Sequence, residues 1–373
     1  MRPGPRPRDG LDRRPGRARG APGRRGPGAR RRRVRAGRGT GRPALVPAGV
    51  VPSWEPIEHE HGEQRRRPKE QTHVIAGIET GGTKVICGVV SEDDPQRLLS
   101  TTRIPTTTPD ETTTAINAFL AEAEASSSEP VTALGVASFG PVNVDPAEDR
   151  WGWVTGTPKP GWADQDLLGR IPLASRVPTV IMADVGSAAL GEATWGAGRD
   201  VDRVGYATFG TGVGVGLALG GRLLHGNGYP EMGHVIVRKH PQDDFVGSCP
   251  FHGDCLEGLA SGPAVIGRWG HDASSFTDPE EQALAYEMLG SYIAQLALTA
   301  AITAGVQRFV VGGGVLKSPG LFDAVRAQLP ILSGGPGAGH AASLDAPDFL
   351  AQPALGDHSG VLGAVAAALT LER

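Results

Sequence analysis

Residues 231–257 read EMGHVIVRKHPQDDFVGSCPFHGDCLE and gather two of the chain's three cysteines with three histidines. Cys249 and Cys255 flank His252 in a C-x2-H-x2-C spacing, with His234 upstream. Thiolate and imidazole are the ligands that structural zinc takes in a closed tetrahedron. Two thiolates and two neutral imidazoles cancel the charge of the dication, so such a centre can be buried. Pro250 and Gly253 suit the tight turns that would bring three ligands together in so short a segment. His240 is an alternative to His234 as the fourth ligand. A zinc knot here would pin a loop and fix where its acidic neighbours Glu231 and Glu257 point. The competing reading, two free thiols beside surface histidines, has to explain why four soft ligands fall at this spacing.

A second kind of chemistry is suggested by glycine turns. GGTK at 81–84 and GTGVG at 210–214 place backbone N–H groups and the hydroxyls of Thr83 and Thr211 around a concave loop. Glycine lets a backbone approach a phosphate closely, and Lys84 would add a positive charge. Neither turn fits the P-loop or the dinucleotide-binding fingerprint. Each alone is an ordinary hairpin turn, but the pair gains meaning from Gly312, Gly313 and Gly314, which end a third apolar run. Asp184 closes the run TVIMAD, a place where open α/β folds carry functional groups. A carboxylate there can take a proton from an attacking hydroxyl; it can equally cap a helix.

These groups need elements to hold them. HVIAGIETGGTKVICGVV reads as two strands joined by the Gly-Gly-Thr-Lys turn, and RVGYATFGTGVGVGLALGG repeats the unit. TTAINAFLAEAEA has helical spacing and leads to a strand, ALGVASFG. VGSAALGEATWGAG, the long PEEQALAYEMLGSYIAQLALTAAITAG and SGVLGAVAAALTLER read as helices, and RFVVGGGV as strand and turn. Strands alternating with helices predict an α/β architecture, and the repeated unit predicts two similar lobes offering phosphate turns to one cleft. The lobes are expected at residues 71–195 and 196–373.

Composition sets the boundaries. The chain has 373 residues, three cysteines, 55 glycines and 31 prolines. Three cysteines exclude a disulfide framework and favour a reducing compartment. Cys87, inside VICGVV, reads as plain core. There is no apolar run of about 18 residues that would span a membrane, and the basic N-terminus lacks the apolar stretch of a signal peptide. Residues 1–42 hold 16 arginines against 2 aspartates, a formal +14, so a net charge of −3 leaves −17 for the rest. The segment 1–70 is polybasic and rich in Pro and Gly, and is expected to be disordered. It reads either as a tether for nucleic acid or membrane surface, or as upstream sequence before a true start near Val46, Val50 or Val51.

Together the motifs resemble the ROK family of sugar kinases and repressors, within the actin-like ATPase (ribonuclease H-like) fold. GIETGGTK is similar to that family's first phosphate motif, FGTGVGVG to its second, and VVGGGV to its adenosine-side turn. ADVGSAALGE resembles the segment with the catalytic aspartate, and EMGH and the Cys-x-Glu of CLE its sugar and zinc consensus. TGTPKPGW and the C-x2-H-x2-C knot look like the bacterial fructokinase branch.

The resemblance implies Asp184 as general base, and Gly140, Pro141, Glu231, His234 and Glu257 at the sugar. It implies Gly82, Thr83, Lys84, Thr211 and Gly212 around the phosphates, Gly312–Gly314 facing adenosine, and Glu79 organising Mg²⁺ through water. His234, Cys249, His252 and Cys255 would hold structural Zn²⁺. Two positions depart from the pattern: Gly186 and Ala183 stand where relatives carry Asn. The expected reaction is transfer from MgATP to the C6 hydroxyl of fructose, in the cytoplasm, by a homodimer. Mannose, glucose or an N-acetylhexosamine is the alternative substrate. A sugar-sensing repressor would need a helix-turn-helix, and residues 1–70 show no helical periodicity, so no specific nucleic acid partner and no membrane partner are expected.

Overall fold

The apolar run that begins at Val74 crosses the fold as β1 (Val74–Thr80), turns, and returns as β2 (Lys84–Ser91), with Thr80 opposite Val85. The computed structural model describes residues 73–127, 129–157, 159–224, 228–335 and 342–371. The basic segment 1–70 and its expected disorder lie outside the described residues. β3 (Asp94–Pro105) adds an antiparallel edge strand that the sequence pattern does not announce. None of its twelve side chains is fully buried, so no buried face writes a period into the sequence.

Thr108 caps α1 (Pro109–Ser126) by accepting from the Glu111 backbone N–H, with Pro109 in the first turn. β4 (Val131–Ser138) then pairs parallel with β1. A small hairpin of β5 (Trp153–Val154) and β6 (Gln165–Asp166) precedes β7 (Thr179–Ala183), which pairs parallel with β4. The first sheet therefore runs β3-β2-β1-β4-β7. Its last strand leads directly into α2 (Asp184–Thr194).

The second sheet repeats this plan. β8 (Arg203–Phe209), β9 (Val213–Leu219) and β10 (Arg222–Leu223) form an antiparallel meander. Beyond the metal-ligand loop come the short helices α3 (Leu256–Ala260) and α4 (Gly262–Trp269) and the long α5 (Pro279–Ala304). Asp278 caps α5 at its start, and Gly305, at φ 64°, closes it in the left-handed region. β11 (Arg308–Gly312) pairs parallel with β8, α6 (Leu321–Leu332) follows, and β12 (Leu350–Ala351) pairs parallel with β11. The order β10-β9-β8-β11-β12 matches the first sheet strand for strand. The chain ends in α7 (Ser359–Leu369), placed after β12 as α2 is placed after β7. No helix among the described residues is long and apolar enough to cross a membrane.

The two halves interlock through these equivalent helices. α2 packs on β8 and β9 of the second sheet, whereas α7 packs on β1 and β4 of the first, and the two helices cross each other. Glycines make the approach possible. A Cβ on Gly77 or Gly135 would lie 2.6 Å from the Val361 carbonyl oxygen and 1.9 Å from that of Ala364, both on α7. On the other side, a Cβ on Gly216 would lie 2.2 Å from the Val185 carbonyl oxygen on α2. At the crossing, Gly363 would meet the Ser187 carbonyl oxygen at 1.7 Å and Gly191 that of Ser359 at 2.3 Å.

Strand alternation does the rest. Val74, Ala76 and Ile78 face α1 residues such as Ile116 and Phe119, so Ile75, Gly77 and Glu79 face α7. Gly363→Ala should therefore lower stability by about 3 kcal/mol, the upper end of ordinary overpacking, because two backbones must part. Gly82→Ala, with no atom within 4 Å of the new methyl, should leave it nearly unchanged. Chemical denaturation of both variants checks this.

Candidate active site

Asp184 is the first residue of α2, after Ala183, which occupies the N-cap position. It is thus a first-turn carboxylate rather than the cap itself. The Val185 N–H donates to its Oδ1 at 2.8 Å. Burial nevertheless pushes its carboxyl up to about 6, with the Glu231 charge adding to the shift.

Beside it, strand alternation turns Glu79 toward the start of α7, where a Cβ on Gly360 would lie 2.2 Å from the carboxyl carbon. Burial first, then the charge of Asp184, push Glu79 up to about 8, against the pull of Lys84. Its Oε2 is buried and has no hydrogen-bond partner among the described residues. An orphaned buried carboxylate oxygen at the edge of a cleft suits a hydrated cation, which would supply both positive charge and a water donor.

Both carboxylates line a cleft of about 1020 Å³ that also takes in Thr83, Lys84, Thr211 and the run Gly312–Gly314. The first turn is braced from behind. Gly81 N–H donates to the Lys84 carbonyl at 2.8 Å, the Thr106 hydroxyl to the Gly81 carbonyl at 2.7 Å, and the Lys159 ammonium to the Gly82 carbonyl. Lys84 is not a solvated strand end: its Nζ lies 3.3 Å from Asp357, just before α7.

The second turn is closed by Gly210 N–H on the Gly212 carbonyl at 2.9 Å. Gly313, at φ 97°, passes the Phe209 backbone so closely that a Cβ would lie 2.4 Å from it. Gly82 and Gly212 belong to the two turns but are not part of the cleft lining. Tyr206, Asp357 and Ser359 are part of it and were not anticipated. Asp357 sits in no motif, and Tyr206 lies in a strand whose apolar run masks it.

The remaining expected residues sit off this cleft. Gly140 and Pro141, joined by a cis peptide bond, lie against Tyr229: a Cβ on Gly140 would be 2.1 Å from the tyrosine oxygen. That oxygen accepts from the Val142 N–H at 3.1 Å. Tyr229 stands two residues before Glu231, and that nearness is the signal that could have found it. Glu231 precedes the 3-10 turn Met232–His234 and is pushed up by burial and by the Glu257 charge, with His234 opposing.

Glu257, in the first turn of α3, accepts from the Val213 N–H through Oε2 at 3.0 Å. Ala183 and Gly186 line a small apolar recess with Leu223, Leu224, Tyr229 and Pro230. A Cβ on Gly186 would meet the end of the Leu223 side chain at 3.4 Å, an ordinary contact, so packing does not explain the glycine.

The four ligand candidates of the loop converge. One ligand atom each from His234, Cys249, His252 and Cys255 lies within 4.8 Å of the others. Cys249 Sγ is 3.6 Å from His234 Nδ1 and 3.8 Å from His252 Nδ1, and Cys255 Sγ is 3.6 Å from His234 Nδ1. Metal–ligand lengths of about 2.3 Å to sulfur and about 2.0 Å to nitrogen give a tetrahedral edge of about 3.5 Å. The donor set therefore fits a tetrahedral metal ion. His240 is not part of it: its Nε2 lies 3.6 Å from Glu287, and its backbone N–H donates to the Tyr292 hydroxyl at 3.0 Å. The loop is further tied by Arg268, which grips Asp243 through Nε at 3.1 Å and Nη2 at 2.9 Å.

A sequence profile of the ROK family matches residues 75–371. The chain is 38% identical over 305 residues to a fructokinase of Zymomonas mobilis subsp. mobilis, covering 82% of this chain and 99% of that one. It is 35% identical over 292 residues to a fructokinase of Pediococcus pentosaceus, covering 78% and 96%. Among solved structures it is similar to a ROK hexokinase of Thermus thermophilus, with TM-score 0.64, 26% identity, and 79% and 97% of the two chains covered. A ROK family glucokinase of Streptomyces griseus, solved with glucose and AMPPNP, gives TM-score 0.58 at 26% identity, covering 79% and 99%.

Elemental analysis of the purified protein should find one tetrahedral-site metal ion per chain. Cys249→Ser or Cys255→Ser should lose most of it, while His240→Gln should keep it.

Proposed function

This chain belongs to the ROK family and is a sugar kinase of its fructokinase branch, and on that premise we propose that it transfers the γ-phosphate of ATP to the C6 hydroxyl of D-fructose. The observation that carries the mechanism is the place of Asp184, a carboxylate at the head of α2 lining the same cleft as both phosphate turns. As the sugar oxygen attacks phosphorus, Asp184 takes its proton, the new O–P bond forms and the bond to the ADP oxygen breaks. A carboxyl raised to about 6 is a stronger base than an ordinary aspartate and is still ionised at neutral pH. Glu231, His234 and Glu257 would hold sugar hydroxyls, with Gly140 and Pro141 shaping that side.

The turns at Gly82–Lys84 and Thr211–Gly212 would cradle the phosphates, and Gly312–Gly314 would face adenosine. Mg²⁺, when bound with ATP, neutralises charge between the β- and γ-phosphates, and Glu79 would hold it through water. Zn²⁺ at His234, Cys249, His252 and Cys255 would be structural, fixing the loop that carries Glu231 and Glu257. The proposed compartment is the cytoplasm, which agrees with three unpaired cysteines.

Initial rates of ADP release with MgATP and a panel of fructose, mannose, glucose and N-acetylhexosamines test the substrate. The largest kcat/KM is expected for fructose; a larger value for another hexose would overturn the sugar while keeping the reaction. Asp184→Asn should lower kcat at least about 100-fold, the usual scale for a general base. Sugar binding should survive. Wild-type kcat/KM should fall below about pH 6, where Asp184 becomes protonated and cannot act as a base.

The folded carboxyl has the higher pKa, so the native state holds the proton more tightly. Asp184 then weakens folding as pH rises from the ordinary carboxylate range through about 6. Asp184→Asn should accordingly raise Tm at pH 8 and leave it unchanged at pH 4.

A further inference from the structure

Three contacts grip the second phosphate turn, two from the segments that carry the candidate sugar and metal ligands and one from the start of α4 just beyond them. Gly262 N–H donates to the Gly210 carbonyl at 2.7 Å. Gly233, between Glu231 and His234, packs so tightly that a Cβ would lie 1.8 Å from the Val213 carbonyl oxygen. Glu257 Oε2 accepts from the Val213 N–H at 3.0 Å, and a Cβ on Gly212 would reach the same oxygen at 2.8 Å. The other oxygen, Oε1, has no hydrogen-bond partner among the described residues. A half-buried carboxylate with one oxygen committed and one open can serve two masters.

We propose that Glu257 is the positioning residue that couples sugar occupancy to the second phosphate turn, Oε2 holding the turn while Oε1 receives a sugar hydroxyl. This rests on the sugar-kinase reading above and adds to it a thermodynamic link. A hydroxyl on Oε1 fixes the carboxylate, and the fixed carboxylate orders the Val213 N–H and the turn before it. Nucleotide then meets a turn whose ordering has already been met by the sugar, so it binds more tightly. By reciprocity the nucleotide raises sugar affinity by the same factor. Cys255, which precedes α3 as its N-cap, and the Leu256 N–H on the Val235 carbonyl at 2.9 Å hold Glu257 in this register. Among the described residues Glu231 makes no hydrogen bond to the turn, and it provides the comparison.

Calorimetric titration of the full chain with AMP-PNP and Mg²⁺, with and without saturating fructose, tests the link. Wild type should bind AMP-PNP at least about fivefold more tightly with fructose present, the lower end of ordinary coupling. Glu257→Ala should weaken AMP-PNP several-fold even without sugar, with metal content and Tm retained. Glu257→Gln, which keeps an acceptor for the Val213 N–H, should recover most of that loss. Glu231→Gln should weaken fructose but leave sugar-free AMP-PNP binding at the wild-type value. The proposal fails if Glu257→Ala binds AMP-PNP as wild type does without sugar, or if wild type binds the two ligands independently. A wild type that binds AMP-PNP and no hexose at all would instead defeat the sugar-kinase reading.

Discussion

Helices α2 and α7 cross so closely that a methyl group at Gly363 would lie 1.7 Å from the Ser187 carbonyl oxygen. Because each helix follows the last strand of one sheet and packs on the other sheet, this crossing joins the halves at their centre. The catalytic candidates are attached to its ends. Asp184 opens α2, Ser359 and Gly360 open α7, and Glu79 is pressed against Gly360. A wider crossing would move Asp184 and Glu79 relative to both glycine turns. Interdigitated backbones resist small displacements, which is what a site tuned to a fraction of an ångström requires.

A single buried carboxylate secures the far side of the crossing. Glu192, near the end of α2, is fully buried and takes four donors. Ser359 Oγ and Leu355 N–H donate to Oε1 at 2.7 and 3.0 Å, and Ala197 and Ala354 N–H to Oε2 at 2.8 and 3.1 Å. With every lone-pair direction used, the charge is compensated without a cation. The loop it holds carries Asp357, which engages Lys84 from the first turn and holds it across the cleft. Asp184 and Glu79 have the opposite design: too few donors, mutual repulsion, and carboxyls raised to about 6 and about 8. Strongly perturbed carboxylates in a cleft are candidates for chemistry, whereas Glu192, with all its donors in place, is a structural tie.

Much of this is written locally in the chain. The glycine turns, the apolar run ending at Asp184 and the ligand spacing at Cys249, His252 and Cys255 are short-range patterns, and the repeated strand–turn–strand unit foreshadows the matched order of the two sheets. What escaped reading depends on distant partners. The edge strand β3 buries too little of either face to leave a period, and α6, with Pro330 inside it, offers a broken helical pattern. Asp357 earns its place through Lys84, some 270 positions away in the chain, and Glu257 through Val213. Choosing His234 over His240 likewise required knowing that the His240 ring lies beside Glu287, away from the two cysteines.

The central proposal is that the cleft lined by Asp184 passes the terminal phosphate of ATP to the C6 hydroxyl of fructose. Phosphorus NMR of the products formed from MgATP and D-fructose tests it most directly. The account predicts one new phosphomonoester signal, that of fructose 6-phosphate, appearing in step with ADP. Inorganic phosphate in step with ADP and no sugar phosphate, or phosphate on another carbon, would contradict it.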